Sequence, residues 1–239
     1  MAMARPQFLP YVRFDIEGWE HIPTEGSAII VGNHRSYFGP MAIGLTLAKR
    51  GRPVRFLGKK EVFDAPVVGQ ALRAMGGIRV DRGTGSDEPL KEAAAALVAG
   101  QLVAMMPEGT IPRGPAFFDP VLKGRWGAAR LAAMSGAPVI PIGLWGTEKV
   151  WPRSSRAPAV WNILNPPKIR IRVGPPVEGL KGRSPDADTK RIMAAITDLL
   201  PPEARVHRMP TEEELARTYP SGKAPTSGEH EAERRPGTD

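Results

Sequence analysis

Ser27-Ala28-Ile29-Ile30-Val31-Gly32-Asn33-His34-Arg35-Ser36 decides the fold: an apolar run of strand length stops at a glycine and hands over to a polar step carrying a histidine. About 70 residues later the pattern recurs, with Leu102-Val103-Ala104-Met105-Met106 running into Pro107-Glu108-Gly109-Thr110. Short apolar runs bounded by turn residues read as strands. Residues 13–17, 54–58, 78–81, 139–144 and 168–173 read the same way. Helices are expected over 40–50, where Pro40 suits a first turn, and over 65–75, ending at Gly76. Ser86 or Asp87 can cap another over 89–99, rich in alanine and closed by Gly100, and a fourth over 124–135 stops at Gly136. This alternation predicts one α/β domain with a mostly parallel central sheet flanked by helices. Ligand sites in such sheets gather beyond the carboxyl ends of strands, where both motifs fall.

The stretch Lys168-Ile169-Arg170-Ile171-Arg172-Val173 alternates without a break, one face cationic and the other apolar. It reads as a solvated outer strand, or else as a surface for lipid headgroups. The domain is expected over 1–200. From Pro201 the composition turns polar, and 201–239 reads as a largely disordered tail, with Thr211-Glu212-Glu213-Glu214-Leu215 able to start one helical turn.

The chain has 239 residues, enough to bury a sizeable core, and no cysteine, which excludes disulfides, thiolate metal sites and a cysteine nucleophile. The N-terminus lacks the apolar stretch of a secretory signal, and no run approaches the length of a membrane span. The net charge is +8; residues 201–239 hold 6 Lys/Arg and 8 Asp/Glu, leaving 27 and 17 in the first 200. So basic a body attracts polyanions, whether nucleic acid, anionic lipid or phosphorylated metabolites. Nucleic acid is set aside because interleaved aromatics and any nucleic-acid-binding motif are missing.

Five blocks in order resemble the glycerolipid acyltransferases, the lysophosphatidic acid acyltransferase family. That family carries Asn-His-x-x-x-x-Asp and Pro-Glu-Gly-Thr signatures, matched at Asn33-His34 and Pro107-Glu108-Gly109-Thr110. Lys59-Lys60-Glu61-Val62-Phe63 with Gly76-Gly77-Ile78-Arg79-Val80-Asp81-Arg82 looks like its acceptor-binding block. Lys123-Gly124 with Gly127-Ala128-Ala129-Arg130, and Pro138-Val139-Ile140-Pro141-Ile142, resemble its last two. Two positions depart. Gly39 stands where the family has the aspartate that orients the histidine, and no carboxylate lies between Glu25 and Glu61. Ile111 stands where arginine usually follows Gly-Thr, with Arg113 nearby.

The resemblance implies acyl transfer from acyl-CoA or acyl-carrier protein to the hydroxyl of a lysophospholipid, with glycerol 3-phosphate or a glycolipid as alternative acceptors. His34 would be the base, and no metal or cofactor is implied. Arg82, Arg79, Lys59 and Lys60, helped by Gly109, Thr110 and Arg113, would hold the acceptor's phosphate, and Glu108 would organise Arg82 or Arg113. Phe63 to Leu72 and Trp126 are candidates for the acyl chain. Gly39 leaves open a weak enzyme, a site oriented by another carboxylate such as Glu108 or Asp81, or an inactive lipid-binding homologue; a glycine required by its backbone conformation would also explain it. The expected location is cytoplasmic, peripheral on the inner face of an anionic membrane. Binding there would run through Arg52, Arg55, Lys168, Arg170 and Arg172 with Trp151 or Trp161.

Overall fold

Ala28, Ile29, Ile30 and Val31 are fully buried, as are Leu102, Val103 and Ala104. Both runs lack polar alternation because helices cover both faces of their strands. The computed structural model describes residues 9–64, 66–81, 87–220 and 222–223. Among the described residues seven strands form one sheet: β1 (Arg13–Glu17), β2 (Ala28–Gly32), β3 (Val54–Lys59), β4 (Ile78–Val80), β5 (Leu102–Met105), β6 (Val139–Trp145) and β7 (Lys168–Val173). Their spatial order is β1-β7-β6-β2-β5-β3-β4, and only the β6–β7 pairing is antiparallel. The mostly parallel α/β sheet expected from the sequence is therefore the one observed.

Alternate residues of the central strands feed opposite faces. Ile30, Leu102, Ala104, Ile140 and Ile142 pack with Phe38, Ala42, Ile43 and Leu47 of α1 (Phe38–Lys49). On the other face Ile29, Val31, Val103 and Val139 meet α4 (Glu88–Val98), α5 (Gly127–Ser135) and α6 (Pro185–Asp198). α6 carries no motif and was not anticipated. Ser184 caps it by accepting from the Ala187 amide, and its Ile192, Met193 and Ile196 complete that core. Between β3 and β4 the single expected helix is two, α2 (Lys60–Phe63) and α3 (Pro66–Ala74). They touch backbone to backbone: a β-carbon on Gly69 would fall 1.9 Å from the Phe63 carbonyl oxygen, so only glycine permits the contact.

β7 is not an outer strand. It lies between β1 and β6, and Ile169, Ile171 and Val173 are buried in the apolar cluster that includes α1. Its cationic face is neutralised within the chain. Asp15 meets Lys168 and Arg172, each at 3.0 Å, Glu17 meets Arg172 at 2.9 Å, and Glu203 meets Arg170 at 2.9 Å. Arg52 donates to the carbonyls of Pro23, Gly26 and Gly100, and Arg55 to the Gly76 carbonyl and the Glu92 carboxylate. The five cations expected to face lipid are thus all engaged at home.

The ordered body runs past Leu200. α7 (Glu212–Arg217) opens with a capping box between Thr211 and Glu214, and Arg208 grips Glu214 through two bonds of 2.8 Å. That guanidinium and the Thr211 amide pull the Glu214 carboxyl down to about 2. The Gly114 amide donates to Thr218 Oγ1 at 2.7 Å, and Tyr219 is buried. Residues 224–239, where disorder is expected, lie outside the described residues. Among those described, no helix is long and apolar enough to cross a membrane.

Ile30 sits at the middle of this sheet, and Ile30→Ala is expected to lower stability by about 2–5 kcal/mol, because the cavity cannot collapse between two covered faces. Val98→Ala, at a side chain 83% exposed, should stay within about 0.5 kcal/mol. Urea denaturation of both variants measures the contrast.

Candidate functional site

The chain leaves β2 for α1 on one face of the sheet and leaves β5 for α5 on the other, although β2 and β5 are neighbours. Adjacent strands whose connections diverge open a crevice at their carboxyl ends. Both polar motifs occupy it. Glu108 Oε1 accepts from the backbone N–H of His34 at 2.8 Å, which joins the loop after β5 to the loop after β2.

The residues around His34 are tied down one by one. Asn33 is fully buried; its side-chain amide donates to the Leu144 carbonyl at 2.9 Å and accepts from the Leu144 amide at 2.7 Å, so it acts as a rung between β2 and β6. The Arg35 guanidinium lies between two rings, 4.1 Å from the centre of Phe117 and 4.4 Å from that of Trp145, and pairs with Glu148 at 3.5 Å. Ser36 Oγ accepts from the Phe38 amide at 3.1 Å and its carbonyl from the Gly39 amide at 3.2 Å, which turns the chain into α1. Of these, sequence reasoning singled out only His34. Asn33 had a signal, a polar residue set directly against an apolar run. Arg35 had none, because its ring partners lie 82 and 110 positions away.

Gly39 falls in the first turn of α1 with no positive φ. A β-carbon there would stand 3.9 Å from His34 Nδ1 and 3.5 Å from both Leu144 Cδ1 and Met106 Cε, all ordinary contacts. Glycine is therefore not required by backbone conformation or by crowding. The position still borders the imidazole, at a helix start whose partial positive charge favours a carboxylate.

Burial pushes the Glu108 carboxyl up to about 8, although the His34 amide and the Arg35 charge pull the other way. Glu108 organises His34's backbone; of its two expected partners, Arg82 and Arg113, Arg82 lies outside the described residues. Gly109 adopts a φ of 73° and donates to the Met106 carbonyl at 2.9 Å, a turn that calls for glycine. Thr110 is exposed at its rim, Ile111 is buried and Arg113 is half-buried. Lys59 ends β3 and Lys60 opens α2, with Lys60 paired to Asp81 at 3.3 Å. Arg79, on β4, meets Asp64 at 3.7 Å. At about 4.8 Å per strand, these cations stand roughly 10–14 Å along the sheet from β2. Asp81 belongs to that group, not to the immediate surroundings of β2. Phe63 and Leu72, expected to line an acyl tunnel, are packed into the core, while Trp126 is half-buried just before α5. No group of three His, Cys, Asp or Glu side chains suited to a metal occurs among the described residues.

A carboxyl whose pKa is raised on folding contributes stability that is complete below its unfolded value, about 4.5, and lost as pH rises through about 8. Glu108→Gln keeps a carbonyl oxygen for the His34 amide but cannot ionise. It is expected to be less sensitive than the parent, in urea midpoint, to a shift from pH 5, just inside the lower end of that window, to pH 9, about one unit beyond its upper end. Glu108→Ala, which strands the amide, should cost about 1–3 kcal/mol at pH 5 and less at pH 9, where it also removes a buried charge. Equal pH sensitivity in parent and Glu108→Gln would remove the buried carboxyl from this account.

Comparison with known proteins agrees with the geometry. The profile of the family described as Acyltransferase matches residues 13–145, from the start of β1 to the end of β6, and so includes both loops of the crevice. The chain is 31% identical over 175 residues to a chloroplastic 1-acyl-sn-glycerol-3-phosphate acyltransferase of Brassica napus, covering 72% of this chain and 47% of that protein. The corresponding Arabidopsis thaliana enzyme is 31% identical over 176 residues, with 72% and 46% covered. The chain thus spans about half the length of these curated relatives. The crystal structure of the 1-acyl-sn-glycerophosphate acyltransferase PlsC from Thermotoga maritima shares the fold, with a TM-score of 0.61 over 80% of this chain and 72% of that one at 24% identity. By the extent of the profile match and the identity to these relatives, the chain belongs to the acyltransferase family.

Proposed function

We propose that the chain transfers a fatty acyl group from a thioester, acyl-CoA or acyl-carrier protein, to the free hydroxyl of a lysophospholipid such as 1-acylglycerol 3-phosphate. The observation that carries this reading is His34 held by its own backbone to Glu108 at the mouth of the crevice, in a chain whose named relatives acylate that acceptor. The imidazole takes the hydroxyl proton as the oxygen attacks the thioester carbonyl. The tetrahedral oxyanion collapses, the carbon–sulfur bond breaks, and the proton passes to the departing thiolate. Lys59, Lys60, Arg79 and Arg82 take the acceptor's phosphate, the arginines by two-pronged contacts. The reaction needs neither a metal nor a redox group. Its lipid acceptor places the chain at a membrane surface, reached from the aqueous side.

Gly39 favours a second reading, an idle homologue that binds lipid without turnover. Where a histidine base loses its orienting carboxylate, the rate falls by about four orders of magnitude in serine hydrolases. A β-carbon at Gly39 would border His34 Nδ1 at 3.9 Å and make only ordinary contacts.

Release of free CoA by the purified chain, with 1-acylglycerol 3-phosphate, glycerol 3-phosphate and other lyso-lipids as acceptors, tests both readings. His34→Ala is expected to abolish release with the fold intact. Gly39→Asp should raise kcat about tenfold or more and leave the acceptor KM nearly unchanged. Lipid binding without turnover in parent and Gly39→Asp alike would establish the idle homologue. Arg82→Ala should raise the acceptor KM well above any change for the donor, since a two-pronged contact to phosphate is worth about 1.5–3 kcal/mol. Equal effects on both substrates would take Arg82 out of the phosphate site.

A further inference from the structure

Val160, Trp161, Ile163 and Leu164 are 46%, 74%, 56% and 103% exposed, four apolar side chains within five consecutive residues. Isolated exposed apolar residues are ordinary, but a contiguous group marks a surface with a partner. The segment is held at both ends. On one side the Ala159 amide donates to the Val150 carbonyl at 2.8 Å, and the Trp151 indole N–H donates to Ser155 at 3.1 Å. On the other, Arg13 donates to the Pro166 carbonyl from its guanidinium and to the Pro167 carbonyl from its backbone, both at 3.0 Å. The tip between these anchors is presented to solvent by a fixed base.

Its position is tied to the site. β7 runs against β6 with Arg170 opposite Trp145, so the residues leading into β7 emerge at the carboxyl end of β6, the edge that holds His34 and Glu108. Trp151, at the base of the segment, packs edge-on against Tyr37, three residues beyond His34, at 5.7 Å. Asn162 and Asn165 interleave with the apolar side chains, and exposed Arg156 and Lys168 flank them. An indole and aliphatic side chains bordered by amides and cations suit a bilayer interface, with the ring at headgroup depth and the aliphatic groups at the acyl boundary.

We propose that residues 160–164 form an insertion tip that docks the chain on a lipid bilayer with the crevice toward the membrane. Apolar insertion supplies the binding; Arg156 adds only a small, salt-sensitive part. The proposal rests on the acyltransferase reading in one respect, that the acceptor resides in a bilayer.

The test uses the whole chain and co-sedimentation with vesicles of phosphatidylcholine alone or with a minority of phosphatidylglycerol. Binding to both compositions is expected, with the neutral-vesicle part surviving high salt. A variant carrying Trp161→Ser and Leu164→Ser should partition at least ~30-fold more weakly into neutral vesicles. Its acyl transfer to a short-chain lysophospholipid, dissolved below its micelle concentration, should stay at the parent's rate. Unchanged partition, binding confined to anionic vesicles and abolished by salt, or a self-associated chain that the variant returns to monomers would each overturn the docking tip. Tip-dependent vesicle binding by a chain that transfers no acyl group would uphold the tip and remove the proposed activity. Acyl transfer with tip-independent binding would do the reverse.

Discussion

The bond from the His34 amide to Glu108 Oε1 is the constraint on which the site depends. It joins two loops that leave neighbouring strands for opposite faces of the sheet, and that divergence is what opens the crevice. A buried amide needs an acceptor, and a buried carboxyl needs a reason to be there. Each meets the other's requirement. The burial that makes the contact strong also holds Glu108 in its protonated form through neutral pH, so the carboxyl acts on His34 through hydrogen bonding more than through charge.

Around that bond the backbone of 33–36 is fixed from several directions: by the Asn33 rung to β6, by Arg35 between two rings, and by the Ser36 turn into α1. This rigidity makes Gly39 informative. The backbone that carries the histidine is held on several sides, and Gly39, which borders Nδ1 from the first turn of α1, carries no side chain. The consequence of that glycine falls on the chemistry of the imidazole and not on the fold, since nothing in the local geometry demands a glycine there.

Charge and apolarity are distributed differently from what composition suggests. Excess basic residues do not make a basic face when Asp15, Glu17, Glu92 and Glu203 sit beside the cations that the sequence displays most openly. Exposed ion pairs add little stability, but they cancel the local field that would draw in an anionic surface. The contiguous exposed group near the site edge is apolar, at 160–164.

The sequence by itself determined the strand–helix alternation, the mostly parallel sheet and the two motif loops at strand ends, because apolar runs and turn residues are local signals read within a dozen positions. It also located His34, Glu108 and the anomaly at Gly39. Only the tertiary structure decided which strands are neighbours, and with that, whom each polar group meets. Glu108 contacts a backbone amide 74 positions away, Arg35 finds rings 82 and 110 positions away, and β7 takes an interior place between strands that precede it by 155 and 29 residues at their starts. α6 was not legible because its apolar stripe carries no chemical motif; the start of α7 was legible at 211–215, but its contact with Gly114, 104 positions from Thr218, was not. Local pattern encodes what each segment becomes; partners are set by strand order, which depends on the summed packing of the whole sheet.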